Sequence, residues 1–153
     1  MSVPEANFVE PHLSFSLPGE WNAQDERRGA WTVYTRIDRK MELITLGAPA
    51  IAFDSVERQR LKINETLRSY HDLTKQGLDG PSEFGDITFL MSRDGLTTIG
   101  YLEYRFSGPP LRRGCCFTCT SSTTFAAFEL NTQEVSEADF LRTIKVLAGS
   151  ISL

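Results

Sequence analysis

The sequence predicts an α+β fold: an antiparallel meandering β-sheet packed with a long central helix and a C-terminal helix. Three observations carry this. Short alternating segments stand on both sides of residue 55, a helical period runs over 55–76, and Asp94-Gly95 joins two alternating segments as a hairpin signal. Strands, long helix, strands and terminal helix in that order make one α+β unit, read as a single domain over 1–153.

Residues 1–11 carry Pro4 and Pro11 and little periodicity, which predicts a loose N-terminal arm. The most informative stretch follows. Leu13, Phe15 and Leu17 alternate on one face of a strand at 12–17, Pro18-Gly19 stops it, and Trp21 anchors what comes next. Polar residues 22–29 read as a loop. A strand at 30–37 places Trp31 and Val33 on one face and Tyr34 on the other. Asp38-Arg39-Lys40 turns into a strand at 41–46, where Met41 and Leu43 alternate with Glu42 and Ile44, so this pair reads as a hairpin.

The central helix is expected over 55–76. Asp54 and Glu57 form a capping-box pattern, Val56, Ile63, Leu67 and Tyr70 make the apolar stripe, and Gly77 with Leu78 ends it. Gly80-Pro81 opens a loop. Strands at 86–92 and 96–106 turn at Arg93-Asp94-Gly95, Ser107-Gly108-Pro109-Pro110 breaks the pattern, and strands at 113–120 and 123–130 follow. Ser136 with Asp139 caps a last helix at 137–148, striped by Phe140, Ile144, Leu147 and Ile151 and ended by Gly149.

Composition excludes several function classes. The chain has 153 residues, so it can bury a core of its own without disulfides or metal. A net charge of −4 argues against general nucleic-acid binding, which needs many cations to displace phosphate counterions. Basic groups at Arg27-Arg28, at Arg36, Arg39 and Lys40, and at Arg112-Arg113 read as solvated strand ends and turns, with a local patch as the alternative. No basic region precedes an apolar core at the N-terminus and no run is apolar enough to span a bilayer, so a cytoplasmic protein without stable membrane insertion is expected.

Candidate sites were weighed in the same way. Cys115, Cys116 and Cys119 are odd in number, and neighbouring strand residues diverge, so buried reduced thiols are expected and not a disulfide or zinc site. Arg112 and Arg113 close by could activate one of them, and His71 could pair with Cys119 as a base. No phosphate loop or metal-ligand spacing occurs, so no catalytic residue, metal or cofactor is assigned. Aromatics left over on a second sheet face would mark a partner surface. Tyr34, Tyr101, Tyr104 and Phe106, with Arg112 and Arg113, are the candidates, Tyr101 lying on the face opposite Tyr104 and Phe106.

The element order, the run Phe15-Ser16-Leu17-Pro18-Gly19-Glu20-Trp21 and the terminal segment Asp139–Ile151 together resemble the PsbP-like superfamily. Leu17-Pro18-Gly19-Glu20-Trp21 is similar to its DcrB and Eag branch, which includes the effector chaperones of type VI secretion. The resemblance implies a non-enzymatic bacterial protein-binding domain, a chaperone or adaptor whose concave sheet holds an apolar helix of a secreted effector. Residues 22–50 depart from the chaperone pattern, which keeps an immunity protein against a neighbouring toxin as the alternative. A small enzyme using Cys119 or His71 is the second alternative, and self-association as a homodimer is a further option.

Overall fold

Alternation at period two organises most of the chain, and two helical stripes supply cover. The computed structural model of the protein describes residues 5–28, 31–49, 55–76, 82–92, 95–106 and 111–153. In chain order these form β1 (Glu5–Glu10), β2 (Leu13–Pro18), β3 (Trp21–Arg28), β4 (Trp31–Arg36), β5 (Met41–Pro49) and α1 (Val56–Gln76). Then come β6 (Ser82–Phe84), β7 (Thr88–Met91), β8 (Thr98–Phe106), β9 (Arg112–Thr120), β10 (Thr124–Gln133) and α2 (Glu137–Ser150). Among the described residues β1 and β2 form a two-stranded hairpin, and the other strands form an eight-stranded sheet in the order β3-β4-β5-β10-β9-β8-β6. β7 pairs with β8 alongside β6, and every pairing is antiparallel. The α+β class and both helices are as the sequence predicts.

Cross-strand register sorts side chains onto two faces. Tyr34, Leu43, Leu130 and Cys115 stand in one row, and Val33, Ile44, Glu129, Cys116 and Leu102 in the next, on the opposite face. The first face carries the main core. Phe117, Phe128 and Leu130 meet Leu13, Phe15 and Leu17 of β2 and Phe140 and Leu147 of α2. The Phe15 ring stands edge-on to Phe128 at 5.4 Å and to Tyr34 at 5.3 Å. Such edge-to-face pairs add about 0.5–1.5 kcal/mol each beyond simple burial. Over β8 and β9 the second face is covered by α1, with Ile63 and Leu67 packed on Leu102 and Cys116.

Several expectations need correction. Residues 5–10 are not a loose arm: β1 pairs with β2, Phe8 opposite Phe15. The inward positions are Ala6, Phe8 and Glu10, and an acidic residue at the third hides the alternation. Glu10 is tolerated there because its carboxylate accepts hydrogen bonds from Tyr34 Oη at 2.6 Å and Thr45 Oγ1 at 2.5 Å. The polar run 22–29 is largely strand, since β3 is an edge strand with a register shift between Ala23 and Arg27 and needs no apolar face of its own. β6 escaped notice because it has only three residues.

The helix stripes also shift. Val56 is exposed, and Gln59 takes the buried place instead, its Oε1 accepting from Thr98 Oγ1 at 2.6 Å. Gly149 does not end α2. The helix runs on to Ser150, and Ile151 turns extended so that Ser152 can bridge Ser14. The Ser136 cap is present, its hydroxyl accepting from Asp139 N at 3.1 Å. At α1 the Ser55 hydroxyl accepts from Arg58 N at 3.2 Å. The expected roles of Asp54, Gly77, Leu78, Gly80-Pro81, Arg93-Asp94 and Ser107–Pro110 lie outside the described residues, as do the side chains of Arg27 and Arg28.

Two glycines set how closely α1 and its neighbours approach the sheet. A Cβ on Gly100 would stand 2.0 Å from Ile63 Cγ2 and 3.0 Å from Leu67 Cδ1. A Cβ on Gly114 would stand 2.2 Å from Tyr104 Cζ, so the Tyr104 ring lies across the backbone of β9. Gly100→Ala should therefore destabilise the protein by about 1–3 kcal/mol, because α1 must lift. Urea unfolding of Gly100→Ala, alone and in an Ile63→Ala background, checks this. The loss should shrink in the double variant, and equal losses in both backgrounds would refute the contact.

Candidate functional site

The site grows from unequal cover. α1 lies over β8 and β9, because Gly100 admits Ile63 and Leu67 there. Among the described residues no helix packs on β4, β5 and β10 of that face as extensively as α1 packs on β8 and β9. Val33 and Ala127 are buried there, while Ile44, Leu46 and Phe125 are only partly buried. Alternation puts Trp31, also partly buried, on the same face as Val33. The result is an apolar strip beside α1. From Glu42 to Ala48 along β5 it is about 20 Å long at the usual strand rise.

One end of the strip is polar. Glu42, Asn131 and Thr35 lead into a cleft of about 580 Å³, walled by Arg39, Lys40 and Arg112 with Asn22 and Gln133. The cleft is built by a tight turn. Arg36 donates from Nε to Asp38 Oδ1 at 2.9 Å, and from Nη1 to both oxygens of Asp139 on α2 at 2.9 and 3.0 Å. Asp38 in turn accepts from Lys40 N at 3.0 Å. Arg39 sits at φ +62°, a left-handed conformation that costs a non-glycine residue about 1 kcal/mol or more. The Arg36 hydrogen bond comes first among the causes that hold the Asp38 carboxyl below its usual range, with the Lys40 amide adding to it. Burial would lower the Arg36 pKa, but its bonds to Asp38 and Asp139 outweigh that and raise it.

A hydrogen-bond chain links α1 to the strip. Tyr70 Oη donates to Tyr104 Oη at 3.2 Å, Tyr104 Oη donates to Asn131 Oδ1, and Asn131 Nδ2 donates to Glu129 Oε1 at 3.2 Å. Burial raises both phenol pKa values, so both stay protonated and donating. The chain ends on a partly buried carboxylate within the apolar strip.

The architecture has counterparts among solved structures. Cyanobacterial PsbP (CyanoP) of Synechocystis superposes with a TM-score of 0.66 at 18% identity, over 99% of this chain and 92% of its own. The fold is PsbP-like. LpqN of Mycobacterium tuberculosis, involved in cell envelope biogenesis, gives 0.50 at 15% identity over 98% of this chain and 90% of its own. A Bacteroides thetaiotaomicron protein gives 0.63 at 10% identity over 99% of this chain, which spans about half (48%) of that one. No family model and no curated protein matches the sequence.

Within this PsbP-like frame the six candidate partner residues scatter. Tyr34 is 4% exposed on the covered face, bonded to Glu10. Tyr101, on the same face, is partly buried against Phe117 and donates to Glu103 Oε2 at 2.8 Å. Tyr104 is 3% exposed beneath Tyr70. These three tyrosines therefore serve the interior. Phe106 is partly buried under the Arg112 guanidinium, whose carbon is 4.5 Å from the ring centre. Arg112 is exposed and lines the cleft. Arg113 points to the opposite face, with Nε and Nη1 buried and without hydrogen-bond partners. Sequence reasoning passed over Ile44, Leu46, Phe125, Glu129 and Asn131. Ile44 and Leu46 had only the signal of a β5 apolar on both sides, and Phe125, Glu129 and Asn131 had none beyond the alternation of β10.

The thiols behave as core atoms. Cys115 and Cys119 pack in the main core and Cys116 under α1. Burial pushes all three thiol pKa values up, Cys116 to about 12. Arg112 and Arg113 thus do not activate them. Nor does His71 meet Cys119. His71 lies on α1, 4.2 Å from the Phe84 ring and 3.1 Å from Asp72 Oδ1, whereas Cys119 faces the other side of the sheet.

Two measurements check this description. At pH 8 a disulfide-exchange reagent should leave all three thiols unmodified in the folded protein and titrate all three in denaturant. Rapid reaction of one thiol in the folded state would contradict the burial. The depressed Asp38 pKa stabilises the fold above the ordinary aspartate pKa of about 3.9, and that contribution disappears as pH falls through the lower folded value. Asp38→Asn should therefore lower stability at pH 7 and flatten the acid limb below pH 4. An unchanged acid limb in thermal melts would count against the Arg36–Asp38 link.

Proposed function

We propose that this protein is a non-enzymatic, cytoplasmic binding domain that holds an apolar or amphipathic helical segment of a secreted effector. The finer assignment is a type VI secretion chaperone or adaptor of the DcrB and Eag kind. The partly buried apolar strip of Ile44, Leu46 and Phe125 beside α1, which no helix of the described residues packs on as closely as α1 packs on β8 and β9, is the observation that carries the reading. A helix laid on β5 and β10 would bury Ile44, Leu46 and Phe125 and would take α1 as its side wall, a helix-in-groove mode of recognition. Its length of about 20 Å suits about 13 helical residues, roughly four turns. Such binding needs shape and apolar area and no reactive group. The segment Leu17-Pro18-Gly19-Glu20-Trp21 has a structural part in this: Trp21 Nε1 donates to Pro18 O at 2.9 Å and fixes the corner between β2 and β3.

The test is co-expression with the product of the adjacent large reading frame, divided into truncations. Capture should follow a segment carrying an apolar helix. Leu46→Glu with Phe125→Glu should abolish capture while circular dichroism and Tm stay near wild type. Capture by a C-terminal toxin domain, with rescue of growth, would replace the chaperone reading by immunity.

A further inference from the structure

The apolar strip and the basic cleft are one continuous surface. On the face of Ile44 and Glu129 the following row is Glu42 and Asn131, and the one after it is Gln133 and Arg112. Arg39 and Lys40 make no side-chain ion pair among the described residues. The Arg112 guanidinium carbon lies over Phe106, 4.5 Å from the ring centre, a cation–π contact that uses no N–H hydrogen bond. Arg36 is neutralised by Asp38 and Asp139. Among the described residues that line it, the cleft presents Arg39, Lys40 and Arg112 beside one carboxylate, Glu42, on a chain whose net charge is −4.

We infer that the cleft gives the strip a direction: the bound helix lies with its C-terminal end toward Arg39, Lys40 and Arg112 and continues into an acidic segment that fills the cleft. This rests on the helix-binding reading above. A helix C-terminus carries about half a negative charge and four unpaired carbonyls, so it is drawn to cations and repelled at the other end. Carboxylates in the residues that follow add charge-assisted, two-pronged bonding to Arg112 and Arg39. The left-handed Arg39 turn, held by the Arg36–Asp38 bonds, sets the backbone from which Arg39 and Lys40 project. The opposite orientation would place a helix N-terminus, itself positive, against three cations.

Four labelled peptides test this. All share one amphipathic Leu/Ala/Ser helix of about 14 residues, matched to the strip. One has no tail, one a C-terminal triglutamate, one an N-terminal triglutamate and one a C-terminal trilysine. Binding is followed by fluorescence anisotropy at low and high salt. The C-terminal triglutamate peptide should bind about tenfold more tightly than the untailed one at low salt, an advantage that fades as salt screens it. Lys40→Gln with Arg112→Gln should remove the tail's advantage and weaken the untailed peptide by a much smaller factor. Equal binding of all four peptides, lost in Leu46→Glu, would overturn the directional inference and leave the helix-binding reading standing. Tighter binding of the N-terminal triglutamate or the trilysine peptide would overturn the inference in the same way. Failure of every peptide to bind would overturn both.

Discussion

A broad sheet with apolar residues on both sides must find cover for two faces, and among the described residues the helices and hairpin cover one face and the β8–β9 part of the other. That imbalance shapes the rest of the molecule. The better-covered face draws on three elements, β1, β2 and α2, whose rings and aliphatic chains interlock around Phe15, Phe128 and Phe140. The other face has α1, seated low over Gly100, with its tyrosine bonded across the Gly114 backbone. A closer seat over β8 and β9 gives α1 good packing there and keeps it away from β5 and β10. The strip and the tight helix contact are thus two results of one placement.

Most of the fold was legible because it rests on local signals. α1 and α2 announce themselves by stripe and cap, and β8, β9 and β10 by alternation and β-branched content. The missed elements lack such signals for definite reasons. β1 turns a glutamate inward, which only the hydroxyls of Tyr34 and Thr45 make tolerable, and both are far along the chain. β3 is an edge strand, so pairing on one side suffices and its sequence is free to be polar. β6 is too short to show a period.

The site was less legible, since it depends on tertiary placement. Tyr34 and Tyr104 look surplus in sequence, yet a phenol can enter a core when Glu10 or Asn131 accepts a hydrogen bond from it. Ile44 and Leu46 look like ordinary strand residues, and their exposure is decided by which strands α1 crosses. Arg39 and Lys40 come from a turn and Arg112 from a strand far along the chain. They converge because β10 lies between β5 and β9. Charge counted along the sequence shows an acidic protein, while the fold gathers three of its cations on one side of a cleft.

The bridge between Ser14 and Ser152 bears on the timing of folding. Ser14 and Ser152 exchange backbone bonds at 2.8 and 2.9 Å, and Ser16 N donates to the Ser150 hydroxyl, 134 residues away. The early hairpin is therefore locked onto the sheet by residues that leave the ribosome long after it. Until α2 and Ser152 have been made, the core around Leu13, Phe15 and Leu17 lacks Phe140, Leu147 and Ile151. Contacts this distant in sequence slow folding and leave apolar surface uncovered in the interval. During synthesis the nascent chain would thus expose its main core as well as the strip, and docking of the hairpin would come as the closing step.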